Sequence, residues 1–164
     1  MERITLEEFI EEMRADIPVL RDGHELGLIV NDREDIPELF ESTLQQLAQE
    51  TASITLSGDD LFDPVGLKRA IDSVNGGDAV VVIKADYPLA PKHYHALRTL
   101  VSDHALERWI NGGTEREMVH FKKRSRFVLV LSRDALEVTT KRFPPFWEMI
   151  GSTFSCDGAR KEVV

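Results

Sequence analysis

The chain has 164 residues, of which 42% are hydrophobic and 30% are charged, and these values are ordinary for one globular domain. Its formal net charge of −9 argues against nucleic acid or an anionic membrane surface as the main partner, because both attract basic patches. A single cysteine, Cys156, cannot form an internal disulfide, and no apolar run approaches the roughly 20 residues of a membrane span. We therefore expect a cytoplasmic chain whose residues 1–164 form a single domain.

The first predicted element is an amphipathic helix within residues 1–22. Thr5 followed by Glu8 is a capping-box pattern, and apolar residues then recur with helical spacing. The apolar run Leu26–Val30 is followed by polar residues, which predicts a buried strand. A second helix should begin near Pro37, because proline is tolerated in the first helical turn.

Strands and helices then alternate along the rest of the chain. The predicted elements are a strand Ser53–Gly58, a helix opened by Asp63 as its cap and Pro64, a strand Ala79–Ala85, a helix from Pro91 to about Asp103, a hairpin turning at Asn111 and Gly112, a strand Arg126–Ser132, and a short strand at Ser152–Cys156. In the hairpin, Asn111 and Gly112 should both have positive φ. Four apolar strands with helices between them imply a three-layer α/β sandwich with a mainly parallel sheet.

Polar segments follow each of these strands, and ligands of such sheets bind at the carboxyl ends of the strands. The segments are NDRED, SGDD, KADYP and SRDAL. They predict a site at this edge of the sheet if they converge. The other interpretation is that these loops are polar because they face water.

The segment Gly77–Asp134 carries the most specific similarity to a known family. An apolar strand is followed by a helix that begins after a proline-containing turn, then by a hairpin with a glycine turn, and then by a strand introduced by Phe127. This layout resembles the core of an AAA+ ATPase, in the branch that contains dynein, midasin and the magnesium-chelatase-like proteins. The resemblance covers about residues 25–156 and implies a P-loop NTPase-like sheet of about five strands with a β-hairpin insert. The chain ends at Val164, where the family would continue into a helical lid, so no lid is expected.

The residues that nucleotide chemistry requires are missing from the matching positions. A phosphate loop needs glycines, a lysine and a Ser/Thr hydroxyl, whereas the corresponding residues here are Asn31, Asp32, Arg33, Glu34 and Asp35. The acid pair that would hold the metal reads Lys84-Ala85, or Ala85-Asp86 if the register shifts by one, and the sensor-like residues are Ser132, Arg133 and Asp134. We therefore expect degenerate Walker motifs, no nucleotide cofactor and no ATP hydrolysis.

The leading hypothesis is a non-catalytic AAA+-like domain that works as a structural or regulatory module through a protein partner or self-association. Aromatic residues and arginine dominate the energetics of interfaces. The candidate interface residues are Trp109 on the hairpin, the basic residues Lys122, Lys123, Arg124 and Arg126 that follow it, and Arg142, Phe146 and Trp147 in the segment KRFPPFW. For Trp109, Phe146 and Trp147, packing in the hydrophobic core is the competing interpretation.

Two other functions remain open at this point. A metal-dependent α/β enzyme would gather Asp32, Asp59, Asp86 and Asp134 around a divalent ion, and a receiver-like signalling domain would use Asp32 and Asp86. A first strand that lies between the third and fourth strands would favour the AAA+ type. His93 and His95 are two residues apart on a helix and do not share a face, so we expect a solvent-exposed helix there and no metal site.

Overall fold

The computed structural model describes residues 26–30, 52–73, 79–85, 87–121 and 126–155. The predicted helix within residues 1–22, the predicted helix from Pro37 and the end of the last predicted strand at Cys156 lie outside these ranges. The proposal that residues 1–164 form a single domain stays a prediction.

Seven strands occur in the described part of the chain, and five of them form one parallel sheet. The strands are β1 (Leu26–Val30), β2 (Ala52–Ser57), β3 (Ala79–Ala85), β4 (Ala105–Ile110), β5 (Glu115–His120), β6 (Arg126–Leu131) and β7 (Ile150–Ser155). The order across the sheet is β2-β3-β6-β1-β7, and each neighbouring pair in it is parallel. The mainly parallel α/β sheet of five strands predicted from the sequence is confirmed.

The position of β1 differs from the expected one. We expected the first strand between the third and fourth core strands, but β1 lies between β6 and β7 because β6, the fourth core strand, inserts between β1 and β3. The order also excludes a receiver-like fold. In that flavodoxin-like arrangement the first strand pairs with the second and third strands, whereas β2 here pairs with β3.

Side chains on both faces of the central strands are buried, so the sheet is covered on both faces. Leu28, Ile83 and Leu129 belong to a core cluster that includes apolar residues of the helices, and each is 1% exposed or less. The intervening Ile29 and Val128 on the opposite face are also fully buried. Burial on both faces is the usual state of a parallel sheet and explains why these strands read as continuous apolar runs.

Three α-helices are described: α1 (Pro64–Asp72), α2 (Pro91–Asp103) and α3 (Arg133–Arg142). Asp63 caps α1 as predicted, because its Oδ1 accepts a hydrogen bond from the Gly66 N–H at 3.2 Å. Helix α2 has the predicted bounds, while α3 was not predicted. No helix in the described ranges is long and apolar enough to cross a bilayer.

Strands β4 and β5 form the predicted antiparallel hairpin, but its turn differs from the prediction. Ile110 pairs with Glu115, which leaves a four-residue connection instead of a two-residue one. Positive φ values therefore fall on Gly112 (69°) and Gly113 (87°), and Asn111 does not have one. The two consecutive residues with positive φ are thus both glycines and lie one position later than predicted, because the connection is longer than a two-residue type I′ turn.

Candidate functional site

The carboxyl end of β3 lies where the resemblance would place a metal-binding acid pair. Lys84 and Ala85 are the last two residues of β3, and they pair in register with Val130 and Leu131 of β6. Ala85 is 2% exposed and belongs to the core cluster. A carboxylate at position 85 would therefore point into apolar surroundings, where an ionised group is strongly disfavoured. Asp86 and the loop residues Asn31, Asp32, Arg33, Glu34 and Asp35 lie outside the described residues.

The sensor-like residues lie at the start of α3. The Ser132 Oγ accepts a hydrogen bond from the Ala135 N–H at 3.1 Å, so Ser132 caps the helix. Asp134 is exposed in the first turn, where the helix dipole favours a carboxylate. The sequence Ser-Arg-Asp therefore has a local structural role as a helix start.

A cluster of three polar side chains in the described part of the chain joins the ends of β2 and β3 to the first turn of α2. The Tyr87 hydroxyl lies 3.2 Å from Asp59 Oδ1 and 3.3 Å from His93 Nε2, and His93 Nε2 lies 3.3 Å from the same Asp59 oxygen. His93 is 4% exposed, whereas the Asp59 side chain is 74% exposed. The expectation of a solvent-exposed helix at His93 is therefore wrong, although His95 does lie on another, exposed face.

Hydrogen bonding fixes which ring nitrogen of His93 carries the proton. The Ala90 N–H donates to His93 Nδ1 at 3.2 Å, so Nδ1 acts as an acceptor and a neutral ring carries its hydrogen on Nε2. The Nε2–H and the Tyr87 O–H then both point to Asp59 as acceptor. His93 thus takes the role that Glu or Gln has at the third position of a capping box, reaching back to the N-cap N–H.

Two aromatic rings pack against His93 in this cluster, and a glycine leaves space for the Tyr87 hydroxyl. The His93 ring lies 5.0 Å from the Phe62 ring and 5.2 Å from the Tyr87 ring, measured between centroids. A Cβ at Gly58 would lie 2.8 Å from the Tyr87 hydroxyl oxygen, so any other residue at position 58 would displace it. The cluster therefore fixes two loops and a helix start at the carboxyl edge of the sheet.

The described residues show no convergent metal site at this edge. No group of three or more His, Cys, Asp or Glu side chains within the described ranges could hold an ion. Asp60 accepts a hydrogen bond from the Ser57 N–H at 2.9 Å, and Asp63 caps α1, so two acids of this segment bind backbone instead. Of the four aspartates considered for a metal enzyme, Asp59 and Asp134 are described, and Asp32 and Asp86 are not.

An apolar groove of about 530 Å³ opens beside the cluster, between α2 and β4. We call it the α2–β4 groove. It is lined by residues of the segment 61–65, by Lys92, His95, Ala96 and Thr99 on one face of α2, and by Leu106 to Trp109 of β4. Its volume is within the range of natural ligand pockets.

The predicted interface residues fall into different surroundings. Trp109 and Trp147 are 59% and 41% exposed, but Phe146 is fully buried, so its side chain is not available to a partner and closes the core instead. The Arg142 guanidinium donates to the Leu89 carbonyl at 3.3 Å and so holds the turn before α2. Lys122, Lys123 and Arg124 lie outside the described residues, and of Arg126 only its backbone in β6 is described.

Sequence reasoning missed the two residues that complete the polar cluster, Tyr87 and His93. One signal was present: His93 is the third residue of a helix that begins at Pro91, a position from which a side chain can reach the N-cap N–H. Tyr87 had no such signal, because its partner Asp59 lies 28 residues away.

The fold is that of a P-loop NTPase or AAA+ core. The chain matches the ADP form of the ORC2 protein of Aeropyrum pernix, an AAA+ ATPase, with a TM-score of 0.51 and 13% sequence identity over 91% of this chain. A structure of the same protein in ADPNP–ADP complexes gives a TM-score of 0.47 and 14% identity over 90% of this chain. This chain spans 46% of the length of either structure.

Comparison by sequence adds no family assignment. No protein-family model matches the chain. No curated protein matches it either. At 13% identity the structural likeness to the archaeal protein establishes the AAA+-like fold alone.

Proposed function

We propose that this chain is a non-catalytic AAA+-like domain that acts as a structural or regulatory protein-interaction module. The observation that carries the proposal is the end of β3, where Lys84 is followed by the buried Ala85. An acid pair at this place would hold Mg²⁺ and orient the attacking water. A lysine repels the ion, and the buried methyl group of Ala85 offers it no ligand.

The sequence of the phosphate-loop region supports the same proposal. The five residues Asn31 to Asp35 contain no glycine and three carboxylates, which would repel a triphosphate at short range. We place the chain in the dynein, midasin and magnesium-chelatase-like branch, where units without a working nucleotide site serve as structural parts of a larger assembly. From the composition and the lone Cys156 we infer a cytoplasmic location.

Exposed apolar side chains support contact with a protein. The large hydrophobic residues exposed in the described ranges are Phe62, Val65, Trp109, Val138 and Trp147. Isolated exposed apolar residues are ordinary, but Phe62, Val65 and Trp109 all line the α2–β4 groove. Such a concentration is typical of an interaction site.

Calorimetric titration with Mg-ATP and with Mg-ADP tests the absence of a nucleotide site. We expect no saturable heat and no rise in melting temperature at millimolar nucleotide, because a ligand of the native state would stabilise it. Saturable micromolar binding would contradict the proposal. A change of that affinity in the variant Lys84→Glu, with none in Lys141→Glu on the exposed surface of α3, would then locate the nucleotide at the end of β3.

A metal-dependent enzyme is the other function considered. In the described part of the chain, the Asp59 carboxylate accepts hydrogen bonds from the Tyr87–His93 pair, and Asp134 lies in the first turn of α3. No observation on these residues favours that function. A rise in melting temperature with millimolar Mg²⁺ or Mn²⁺ would revive it.

A further inference from the structure

The α2–β4 groove gathers three of the five large apolar residues that are exposed in the described part of the chain. Phe62, Val65 and Trp109 are 41%, 36% and 59% exposed, and all three line it. Exposed apolar side chains that gather in one place are typical of a surface that another molecule covers. Trp109 is the most exposed of the three, and tryptophan is among the residues that dominate the energetics of interfaces.

The charged residues of the lining balance each other. Lys92 and Arg108 are its cations, and Asp63 and Glu107 are its acids. The groove therefore does not select a charged ligand. The whole chain, in contrast, carries a formal charge of −9, so two copies repel each other over most of their surface. A neutral apolar face is where that repulsion opposes contact least.

The two acids of the groove already have partners within the chain. Glu107 lies 2.9 Å from Arg116 and 3.4 Å from His95, and Asp63 accepts a hydrogen bond from the Gly66 N–H at 3.2 Å. A second molecule that covers this face therefore leaves neither acid buried without a partner, which would be costly.

The contact between His95 and Glu107 joins the α2 and β4 walls, so a continuous extended chain does not fit along the groove. The space of about 530 Å³ is what remains with this contact in place. Pockets of about 300–1,000 Å³ hold drug-sized molecules, which are larger than an indole. The groove therefore suits a single large side chain.

One face of this chain thus supplies both an exposed indole and a groove that can receive one. A two-fold contact uses the same patch on both copies, so each residue pair occurs twice. If the indole of one copy enters the groove of the other, the reverse contact forms by symmetry.

We propose that two copies of this chain form a symmetric dimer through the α2–β4 groove, with Trp109 of each copy packed into the groove of the other against Phe62 and Val65. This inference rests on the proposed function and names a second copy of the chain as the partner of the module. The dimer is weak, because thirteen residues line the groove, whereas a standard interface uses about 20–30 residues on each side. Its dissociation constant is about 1–100 μM.

Sedimentation equilibrium of the full chain at about 1–500 μM measures this constant. Trp109→Ala should raise it about thirtyfold or more, because truncating a central aromatic anchor has the effect of a hot spot. The matched control is Trp147→Ala, which removes the other exposed indole outside the groove and should change the constant less than about threefold. Urea unfolding confirms that each variant is folded.

A second pair of variants adds one carboxylate at two valines of similar exposure. Val65 in the groove is 36% exposed, and Val138 outside it is 38% exposed. Val65→Glu should raise the dissociation constant about tenfold or more, because the dimer would bury an unpaired charge. Val138→Glu adds the same charge and should change the constant less than about threefold.

Trp109 also reports the contact directly. The chain contains two tryptophans, so Trp147→Phe leaves Trp109 as the single indole. Its emission should move to shorter wavelength as the protein concentration rises through the dissociation constant, because the ring leaves water. Raising the salt concentration from about 0.05 to about 0.5 M should lower the constant, since salt screens the repulsion between two acidic chains.

Four results would overturn the inference: a monomer at every concentration, oligomers that grow beyond the dimer, equal effects within either pair of variants, or a Trp109 emission that is independent of concentration. None of them involves the end of β3. The calorimetric test with Mg-ATP is therefore a separate measurement, and failure of the dimer can be told apart from failure of the proposed function.

Discussion

Replacing His93 with alanine should lower the free energy of unfolding by about 2–3 kcal/mol. The lost hydrogen bond to the Ala90 N–H is equivalent to a lost helix cap, which costs about 1 kcal/mol. Loss of the two ring contacts, with Phe62 and with Tyr87, adds about 1–2 kcal/mol, at about 0.5–1 kcal/mol for each aromatic pair. His93 is buried, so water does not replace these contacts.

Equilibrium unfolding in urea, followed by circular dichroism, measures this change. With a slope of about 2 kcal/mol per molar urea, the midpoint should fall by about 1–1.5 M in His93→Ala. His93→Gln should lose about 1 kcal/mol less than His93→Ala, because glutamine at this position of a helix also reaches back to the N-cap N–H but does not replace the ring contacts. The control His95→Ala removes an exposed side chain of the same helix and should cost about 0.5 kcal/mol or less.

The refuting result is a similar loss in His93→Gln and His93→Ala, which would mean that capping by the Nδ1 atom contributes nothing. A loss below about 1 kcal/mol in His93→Ala would also contradict the reasoning, because it is less than the cap alone should cost. A loss in His95→Ala as large as that in His93→Ala would show a general effect on the helix.

Three further predictions concern stability and use the same unfolding assay. Gly58→Ala should lower the free energy of unfolding by about 1–3 kcal/mol, because the added methyl group overpacks against the Tyr87 hydroxyl. The loss should be smaller in a Tyr87→Phe background, and an equal loss there would contradict the contact. Gly112→Val should cost about 1–2 kcal/mol although nothing lies within 4 Å of its added Cβ, because φ is 69°, and an unchanged midpoint would show that the turn is wrongly assigned. Phe146→Ala should cost about 3–5 kcal/mol and Trp147→Ala less than about 1 kcal/mol, so equal losses would contradict their different burial.

Much of the fold could be predicted from the sequence, because some segments contain residue types that strongly favour a strand or the start of a helix. The run Ala79–Ala85 contains four consecutive β-branched residues and was predicted with its observed bounds. Helix α2 was equally well defined, since Pro91 sets its start. Helix α3 was missed because its sequence contains Val138, Thr139 and Thr140, whose β-branched side chains weaken the helical pattern.

The candidate sites were less predictable, because their residues come together from distant parts of the chain. Asp59 and His93 are 34 residues apart, and each looks ordinary in its own segment. The α2–β4 groove joins residues of the segment 61–65, α2 and β4, and no local pattern indicates that these three surfaces meet. Trp109 was named from the sequence as a candidate interface residue, but its exposure and the groove beside it come from the structure alone.

The sequence by itself determined the alternation of strands and helices, the hairpin, and the lysine and alanine at the end of β3, because these depend on residue type and short-range spacing. Only the tertiary structure decided the strand order, the burial of Phe146 beside the exposed Trp147, and the contact of Tyr87 with Asp59 and His93. Adjacent aromatic residues have the same hydrophobicity signal, and which one enters the core depends on the direction of the backbone relative to the sheet. That direction is set by packing between elements that are far apart in the chain.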